Sequence, residues 1–198
     1  MAIYVTSDAH GHVRALDEAL SKISLTSDDT LYVLGDMIDR GPDPVGVINL
    51  VRSLPNACVL KGNHEQIMLD AIIGQDPLDA ETWDINGGWT TRRQLNEMEF
   101  EAYEELVRWA AALPLYAVVE AAERPYLLVH AGIQAEAARA FLLEHGVDCA
   151  DGRGAVDANS ELLQQMLAVQ SSDDLLWIRH GYWDAPTGLL SAEGKGPV

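Results

Sequence analysis

The feature that most constrains the fold is a pattern that occurs three times in the N-terminal part of the chain. A short apolar run at residues 3–6, 31–34 and 57–60 is followed each time by a polar break and then by helical spacing of apolar residues. Successive β-α-β units predict a parallel sheet, because parallel strands need a crossover connection. Ligand sites in such sheets lie outside the carboxyl ends of the strands. The sequence therefore predicts an α/β fold with a site at that edge.

Each predicted strand ends in residues that can bind a metal ion. Asp8 and His10 follow the first strand, Asp36 follows the second and Asn63 follows the third. A later strand, predicted over residues 126–129, ends at His130. Carboxylate, amide and imidazole ligands suit two divalent cations that share one bridging carboxylate. Any one of these residues alone would more often form a turn or cap a helix, so it is their common position that predicts a metal centre.

The composition favours a single globular domain in a reducing compartment. The chain has 198 residues, 48% of them apolar, which is enough for a sizeable core. Its two cysteines show no Cys-x-x-Cys spacing and predict neither a disulfide framework nor a structural zinc site. No apolar run approaches the roughly 20 residues that cross a bilayer, and the N-terminus lacks a signal-peptide pattern. We therefore expect a cytoplasmic protein without a membrane partner.

Acidic residues dominate the charge. Asp and Glu number 31 against 13 Lys and Arg, and the formal net charge is -18. A field of this sign repels polyanions, so we expect no nucleic acid partner. A phosphate-bearing substrate is still compatible with it, because bound cations dominate the electrostatics of their own site.

The segment at residues 75–89 combines polar and aromatic residues with turn formers. Pro77, Gly87 and Gly88 predict an excursion over the surface. Its part at residues 86–89 either borders a substrate cleft or forms a plain glycine turn anchored by a tryptophan.

Three motifs at the strand ends carry a family resemblance. They are Asp-Ala-His-Gly at residues 8–11, Gly-Asp-Met-Ile-Asp-Arg-Gly at residues 35–41 and Gly-Asn-His-Glu at residues 62–65. Together they resemble the DxHG, GDxxDRG and GNHE motifs of PPP-type serine/threonine protein phosphatases of the bacterial kind, in the calcineurin-like metallophosphoesterase superfamily. The resemblance extends to the Trp-Ile-Arg stretch at residues 177–179. It implies a four-layer α/β/β/α sandwich in which residues 1–198 form one domain.

The resemblance implies a centre of two divalent metal ions bridged by Asp36. Asp8 and His10 complete the ligands of one ion, and Asn63 and His130 belong to the other. Manganese is the expected metal, with iron or zinc as alternatives, because mixed oxygen and imidazole ligation does not decide among them.

The resemblance also implies how phosphate is handled. Arg40 and Arg179 grip the phosphate, for which the planar guanidinium is well suited. His64 protonates the leaving oxygen, and Asp39 holds the His64 ring. A water activated by the cations attacks phosphorus, and no phosphoenzyme forms. The implied substrate is a phosphoprotein or a small phosphoester.

The resemblance stops before its last motif. The family carries a further metal-binding histidine in a Gly-His-Thr-like motif and closes its second sheet with later strands, whereas this sequence ends at Val198. We therefore expect an incomplete second sheet and a sequence truncated from a longer protein.

Two alternatives stay open. Symmetrical dinucleoside tetraphosphatases share the scaffold and most motifs, but alanine commonly replaces the aspartate found here as Asp39, which favours the protein phosphatase. A non-catalytic pseudophosphatase is the other alternative, and the missing histidine is its only support.

Overall fold

A computed structural model describes residues 2–74, 76–122, 124–147 and 160–179. The chain divides into two compact units, residues 1–114 and 115–198. The elements of the first unit are β1 (Ile3–Thr6), α1 (Val13–Ile23), β2 (Thr30–Val33), α2 (Pro44–Ser53), β3 (Ala57–Val59), α3 (Asn63–Ile73), α4 (Pro77–Ile85), α5 (Trp89–Asn96) and α6 (Phe100–Ala111). Those described in the second unit are β4 (Tyr116–Ala121), β5 (Arg124–Val129), α7 (Ala135–Glu144), α8 (Ser160–Ala168) and α9 (Ser172–Trp177).

The first unit is built on a parallel sheet with the strand order β1-β2-β3. Thr6 pairs with Val33, and Val33 pairs with Val59. The carboxyl ends of the three strands therefore lie at one edge of the sheet, as the sequence predicts. Leu31 and Val33 of the central strand are buried in the core of this unit.

Helix α2 shows how the helices are fixed beside the sheet. The Asp43 side chain accepts a hydrogen bond of 3.0 Å from the Gly46 amide, and Pro44 occupies the first turn, an arrangement favoured at helix starts. The helix buries Val47 and Val51 completely. Each such side chain contributes about 1.5–3 kcal/mol through removal of apolar area from water.

Residues 75–89 differ from the predicted surface excursion, because most of them form α4. Asp76 caps this helix by accepting a hydrogen bond of 2.9 Å from the Leu78 amide. The helix buries Trp83 but leaves Leu78 and Ile85 exposed. An apolar stripe of helical period is thus missing from α4, and such a stripe is the signal that sequence reasoning depends on.

The second unit contains the antiparallel hairpin of β4 and β5, with Tyr116 opposite Val129. In the described residues its sheet has these two strands. The Gln170 side chain accepts a hydrogen bond of 2.7 Å from the Gln134 amide and so links α8 to α7. The glycine and aspartate residues at positions 146–160 predict a loop, and most of this segment lies outside the described residues. Within the described ranges, every helix falls short of the length and apolar character needed to cross a bilayer.

Candidate metal centre

Backbone hydrogen bonds join the loop after β1 to the loop after β2. Three amides of the first loop donate to three carbonyls of the second, in the pairs Asp8–Gly35, His10–Asp36 and Gly11–Met37, at 3.2, 2.9 and 2.8 Å. These bonds fix the backbone from which the predicted ligands project.

Backbone strain is concentrated at the same loops. Among the described residues, seven non-glycine residues have a positive φ, and five of them are predicted site residues, namely Asp8, His10, Asp36, Asp39 and Arg40. A residue in such a conformation costs about 1–3 kcal/mol and persists only where its surroundings enforce it. The loops are therefore shaped for the positions of their side chains rather than for stability.

His10 presents one ring nitrogen to two carboxylates. Its Nδ1 lies 2.8 Å from the carbonyl oxygen of Ile38, so Nδ1 carries the proton and Nε2 is the acceptor. Nε2 lies 3.8 Å from Oδ1 of Asp8 and 3.6 Å from Oδ2 of Asp36. Burial lowers the pKa of His10 and outweighs the opposing effects of the Ile38 carbonyl and Asp36. A neutral imidazole beside two carboxylates fits a divalent cation, whose ligands must be deprotonated.

Three potential metal-ligand atoms lie close together near Nε2 of His10. Those of His10, Asp36 and His64 lie within 4.8 Å of one another. Asp36 and His64 are buried and His10 is half-buried, whereas Asp8 is exposed at the rim. The sequence predicts His64 as an acid and not as a ligand, but its Nε2 lies 3.9 Å from Oδ2 of Asp36. The geometry therefore also allows His64 to bind a metal ion.

The start of α3 orients Asp36. The His64 amide donates a hydrogen bond of 3.0 Å to Oδ1 of Asp36, and the partial positive charge at a helix N-terminus favours a carboxylate there. Asn63, the first residue of α3, is buried at the same point. Gly62 is required because a Cβ atom at that position would lie 2.2 Å from Oδ1 of Asp36.

Glu65 ties the second strand end to the third, a role that sequence reasoning missed. Its buried carboxylate accepts hydrogen bonds from the amides of Asp36 and Gly62 at Oε2, at 2.8 and 2.9 Å, and from the Met37 amide at Oε1, at 2.8 Å. Burial, followed by the charge of Asp36, raises the pKa of Glu65. The sequence signal for Glu65 was its place in the third motif. The sequence alone does not show that folding brings the amides of Asp36 and Met37 to its carboxylate.

Asp39 and His64 form a buried pair beside the cluster. His64 Nδ1 lies 2.6 Å from Oδ2 of Asp39, so Nδ1 carries a proton and Nε2 faces the cluster as the acceptor. The exposed Arg40 bridges the two histidines, with Nη1 2.8 Å from Nε2 of His10 and Nη2 2.7 Å from Nε2 of His64. Its guanidinium thus lies directly beside the predicted metal ligands.

The turn between α4 and α5 borders this site. The Arg40 amide donates a hydrogen bond of 3.0 Å to the Gly87 carbonyl. Two further side chains that sequence reasoning missed, Trp83 and Thr91, form hydrogen bonds with Asp39. The sequence signal was weak, because Trp83 is one of two tryptophans in a polar segment and Thr91 follows that segment.

Two predicted site residues belong to the second unit. His130 follows β5 and is half-buried, while Arg179 follows α9 and is exposed. The amide of Ala131 donates a hydrogen bond of 2.9 Å to the Leu175 carbonyl, so the segment after β5 is fixed to α9. The roles of His130 as a metal ligand and of Arg179 as a phosphate-binding residue stay predictions.

Comparisons with known proteins agree with this chemistry at the level of the family. The symmetrical bis(5'-nucleosyl)-tetraphosphatase of Erwinia tasmaniensis is 32% identical over 136 residues, which is 67% of this chain and 45% of that protein. The protein of the same name from Proteus mirabilis is 33% identical over 139 residues, with the same coverage of 67% and 45%. The chain therefore spans less than half the length of these relatives.

Both relatives carry the name of the alternative enzyme and not that of the protein phosphatase that the resemblance favours.

Among solved structures, a metallophosphoesterase from Sphaerobacter thermophilus has a TM-score of 0.43 at 27% identity, covering 59% of this chain and 42% of its own. The family model for calcineurin-like phosphoesterases matches residues 1–191. Because that match spans nearly the whole sequence, the chain belongs to the calcineurin-like phosphoesterase family.

Proposed function

We propose that the protein hydrolyses phosphate esters or anhydrides with water at a centre of two divalent metal ions. The proposed ligands are Asp8, His10, Asp36, Asn63 and His130. The observation that carries the proposal is the convergence of His10, Asp36 and His64 within 4.8 Å at the strand ends. Manganese is the first metal to test, with iron and zinc as alternatives, because carboxylate and imidazole donors suit all three.

The chain's own side chains bind the phosphate and move the proton. Bound divalent cations supply a nucleophilic water at neutral pH and offset the negative charge that grows on the phosphate oxygens. Arg40 and Arg179 bind two phosphate oxygens each through the guanidinium fork. Where the leaving group is a strongly basic alkoxide, His64 gives a proton from Nε2 to the leaving oxygen, and the carboxylate of Asp39 stabilises the doubly protonated ring that this step requires.

A symmetrical dinucleoside tetraphosphate is the substrate class we place first. The names of the two relatives support it. A tetraphosphate is strongly anionic, and on a chain with a net charge of -18 its binding depends on local cations and arginines. Arg40 supplies one such positive charge next to the predicted metal ligands.

A phosphoprotein monoester is the second candidate, and the buried pair of Asp39 and His64 favours it. The alkoxide that leaves from a serine or threonine phosphate is a strong base and needs a proton in the transition state. A nucleoside diphosphate is a much weaker base and leaves without one. A positioned acid contributes typically 10²–10⁴-fold to a reaction that needs it, so the 2.6 Å contact of this pair suits an ester substrate better.

The two candidates separate in one assay. We would measure manganese-dependent kcat/KM for diadenosine tetraphosphate and for a phosphoserine peptide, in the natural chain and in Asp39→Asn. Faster turnover of the tetraphosphate with little effect of Asp39→Asn supports the first candidate. Faster turnover of the peptide, with a loss of about 10²–10⁴-fold in Asp39→Asn, supports the second. Absence of turnover of both substrates by folded, manganese-loaded protein contradicts the proposal.

A further inference from the structure

Two side chains from α4 and α5 enclose the carboxylate of Asp39. The Thr91 hydroxyl donates to Oδ1 of Asp39 at 2.6 Å and accepts from the Asp39 amide at 2.9 Å. The indole Nε1 of Trp83 lies 3.0 Å from Oδ1 and 3.2 Å from Oδ2 of the same carboxylate. Trp83, Thr91, Asp39 and His64 are each at most 3% exposed. The pair of Asp39 and His64 therefore belongs to a network of four buried side chains.

We propose that Trp83 and Thr91 are positioning residues that hold the Asp39 carboxylate so that the His64 ring faces the leaving group of the substrate. This inference rests on the proposed function with an ester substrate, for which His64 is the acid. The side-chain hydrogen bonds of both residues go to Asp39, so both act through Asp39.

The chemistry of the donors supports this assignment. A buried carboxylate is costly unless hydrogen bonds satisfy its oxygens. Indole offers a donor and no acceptor, so Trp83 can only face a carboxylate oxygen that accepts. The Thr91 hydroxyl contacts both the carboxylate and the amide of Asp39, a residue held at a φ of 68°. Thr91 thus fixes the strained backbone and the side chain at the same time.

Two neighbouring residues, Arg92 and Gly88, restrict the position of the Trp83 ring. The Arg92 guanidinium lies 4.9 Å above the Trp83 ring and pairs with Asp84 at 2.9 Å. Gly88 packs so closely that a Cβ atom there would lie 2.2 Å from the Trp83 ring. Trp83 is also the buried residue of α4, so this helix contributes to the interior chiefly through the side chain that reaches Asp39.

The kinetic test compares two aryl phosphates in Trp83→Phe and Thr91→Val. Phenyl phosphate releases a basic phenolate that needs the acid, and p-nitrophenyl phosphate releases a weakly basic one that does not. We expect kcat for phenyl phosphate to fall at least about tenfold, a share of the acid's effect, with KM unchanged and p-nitrophenyl phosphate much less affected. Thr91→Ser should recover most of the loss seen in Thr91→Val. Equal losses on both substrates would mean a merely structural role and overturn the inference.

Thr90→Val is the matched control, since Thr90 is an equally buried neighbour whose hydroxyl lies 3.5 Å from the Gly87 carbonyl. It should leave the ratio of the two rates unchanged. A change in that ratio as large as that of Thr91→Val would contradict a specific role for Thr91. Trp83→Phe decides the question should Thr91→Val fail to fold.

A second readout needs no turnover. In the isotope-labelled, metal-free protein, the His64 Nδ1 proton should give a resolved, slowly exchanging imidazole signal that shifts or vanishes in Thr91→Val and Trp83→Phe but persists in Thr90→Val. An unchanged signal in both folded variants overturns the inference. A shifted signal in a protein without phosphatase activity upholds the positioning and counts against the proposed function alone.

Discussion

Arg40 places its Nη1 nitrogen 2.8 Å from Nε2 of His10, the ring nitrogen that the contact with Ile38 leaves as the acceptor. A cation bound at the same nitrogen has to displace this guanidinium and also meets its positive charge. The contact therefore places Arg40 in competition with the proposed metal ion for His10.

Arg40→Gln should consequently tighten manganese binding while it weakens phosphate binding. We expect the gain in manganese affinity to be about three- to tenfold, the size of a Coulombic effect near 1 kcal/mol for an exposed charge. Titration calorimetry with Mn²⁺ and then with inorganic phosphate measures both effects. Arg14→Gln, at an exposed position of α1, is the control for the loss of one charge. Weaker manganese binding in Arg40→Gln would contradict the competition.

Glu65→Gln should destabilise the protein, because the new amide group would meet backbone donors where an oxygen now accepts. Three buried amides depend on this carboxylate, those of Asp36, Met37 and Gly62. A buried donor without an acceptor costs about 1–3 kcal/mol, and we expect a decrease of this order in the free energy of unfolding, measured by urea titration. Glu104→Gln on the exposed surface of α6 should have no comparable effect. If Glu65→Gln and Glu104→Gln were equally stable, the three hydrogen bonds of the Glu65 carboxylate would not stabilise the folded state as proposed.

Asp29 predicts a pH dependence of stability. Its carboxylate accepts hydrogen bonds from the Ala2 amide at 2.6 Å and from the Thr26 amide and hydroxyl at 3.1 and 2.8 Å. These bonds, that from Ala2 most strongly, lower the pKa of Asp29. The folded state then binds its proton less readily than the unfolded state, whose Asp pKa is about 3.9. The stabilisation is present above that pH and is lost as the pH falls through the lower pKa of the folded state.

The measurement is the difference in Tm between the natural chain and Asp29→Asn as a function of pH. We expect a clear deficit in Asp29→Asn at neutral pH that narrows below about pH 3.9. Asp28→Asn, at an exposed neighbouring position, should show little deficit at either pH. A deficit that stayed constant or widened in acid would show that the carboxylate charge is not the cause.

The sequence was sufficient for the parallel sheet and for the strand-end positions of Asp8, His10, Asp36 and Asn63. Both follow from local patterns, namely short apolar runs that stop at polar turn residues. Helical spacing of apolar residues follows each of the first two runs, and the structure has α1 (Val13–Ile23) and α2 (Pro44–Ser53) at those places. Local periodicity sufficed there because each of these helices carries an apolar stripe.

Local sequence patterns do not predict the long-range contacts that orient the site residues. Thr91 meets Asp39 across 52 positions of the chain, and nothing in the sequence near either residue encodes that approach. The apolar pattern does not indicate that Trp83 is buried, because α4 leaves its other large apolar residues exposed. The resemblance favours a protein phosphatase over a tetraphosphatase because of Asp39, whereas the names of the two relatives favour the tetraphosphatase alternative.

The measurement that tests the central claim most directly is calorimetric titration of the metal-stripped protein with Mn²⁺, in the natural chain and in Asp36→Asn. Asp36 is the proposed bridging ligand, and its Oδ2 faces both His10 and His64. We predict that Asp36→Asn weakens manganese binding by more than the roughly 10- to 100-fold that loss of an outer-shell partner causes, while Asp70→Asn on the exposed face of α3 binds as the natural chain does. Equal manganese affinity in folded Asp36→Asn would contradict a metal centre at these strand ends.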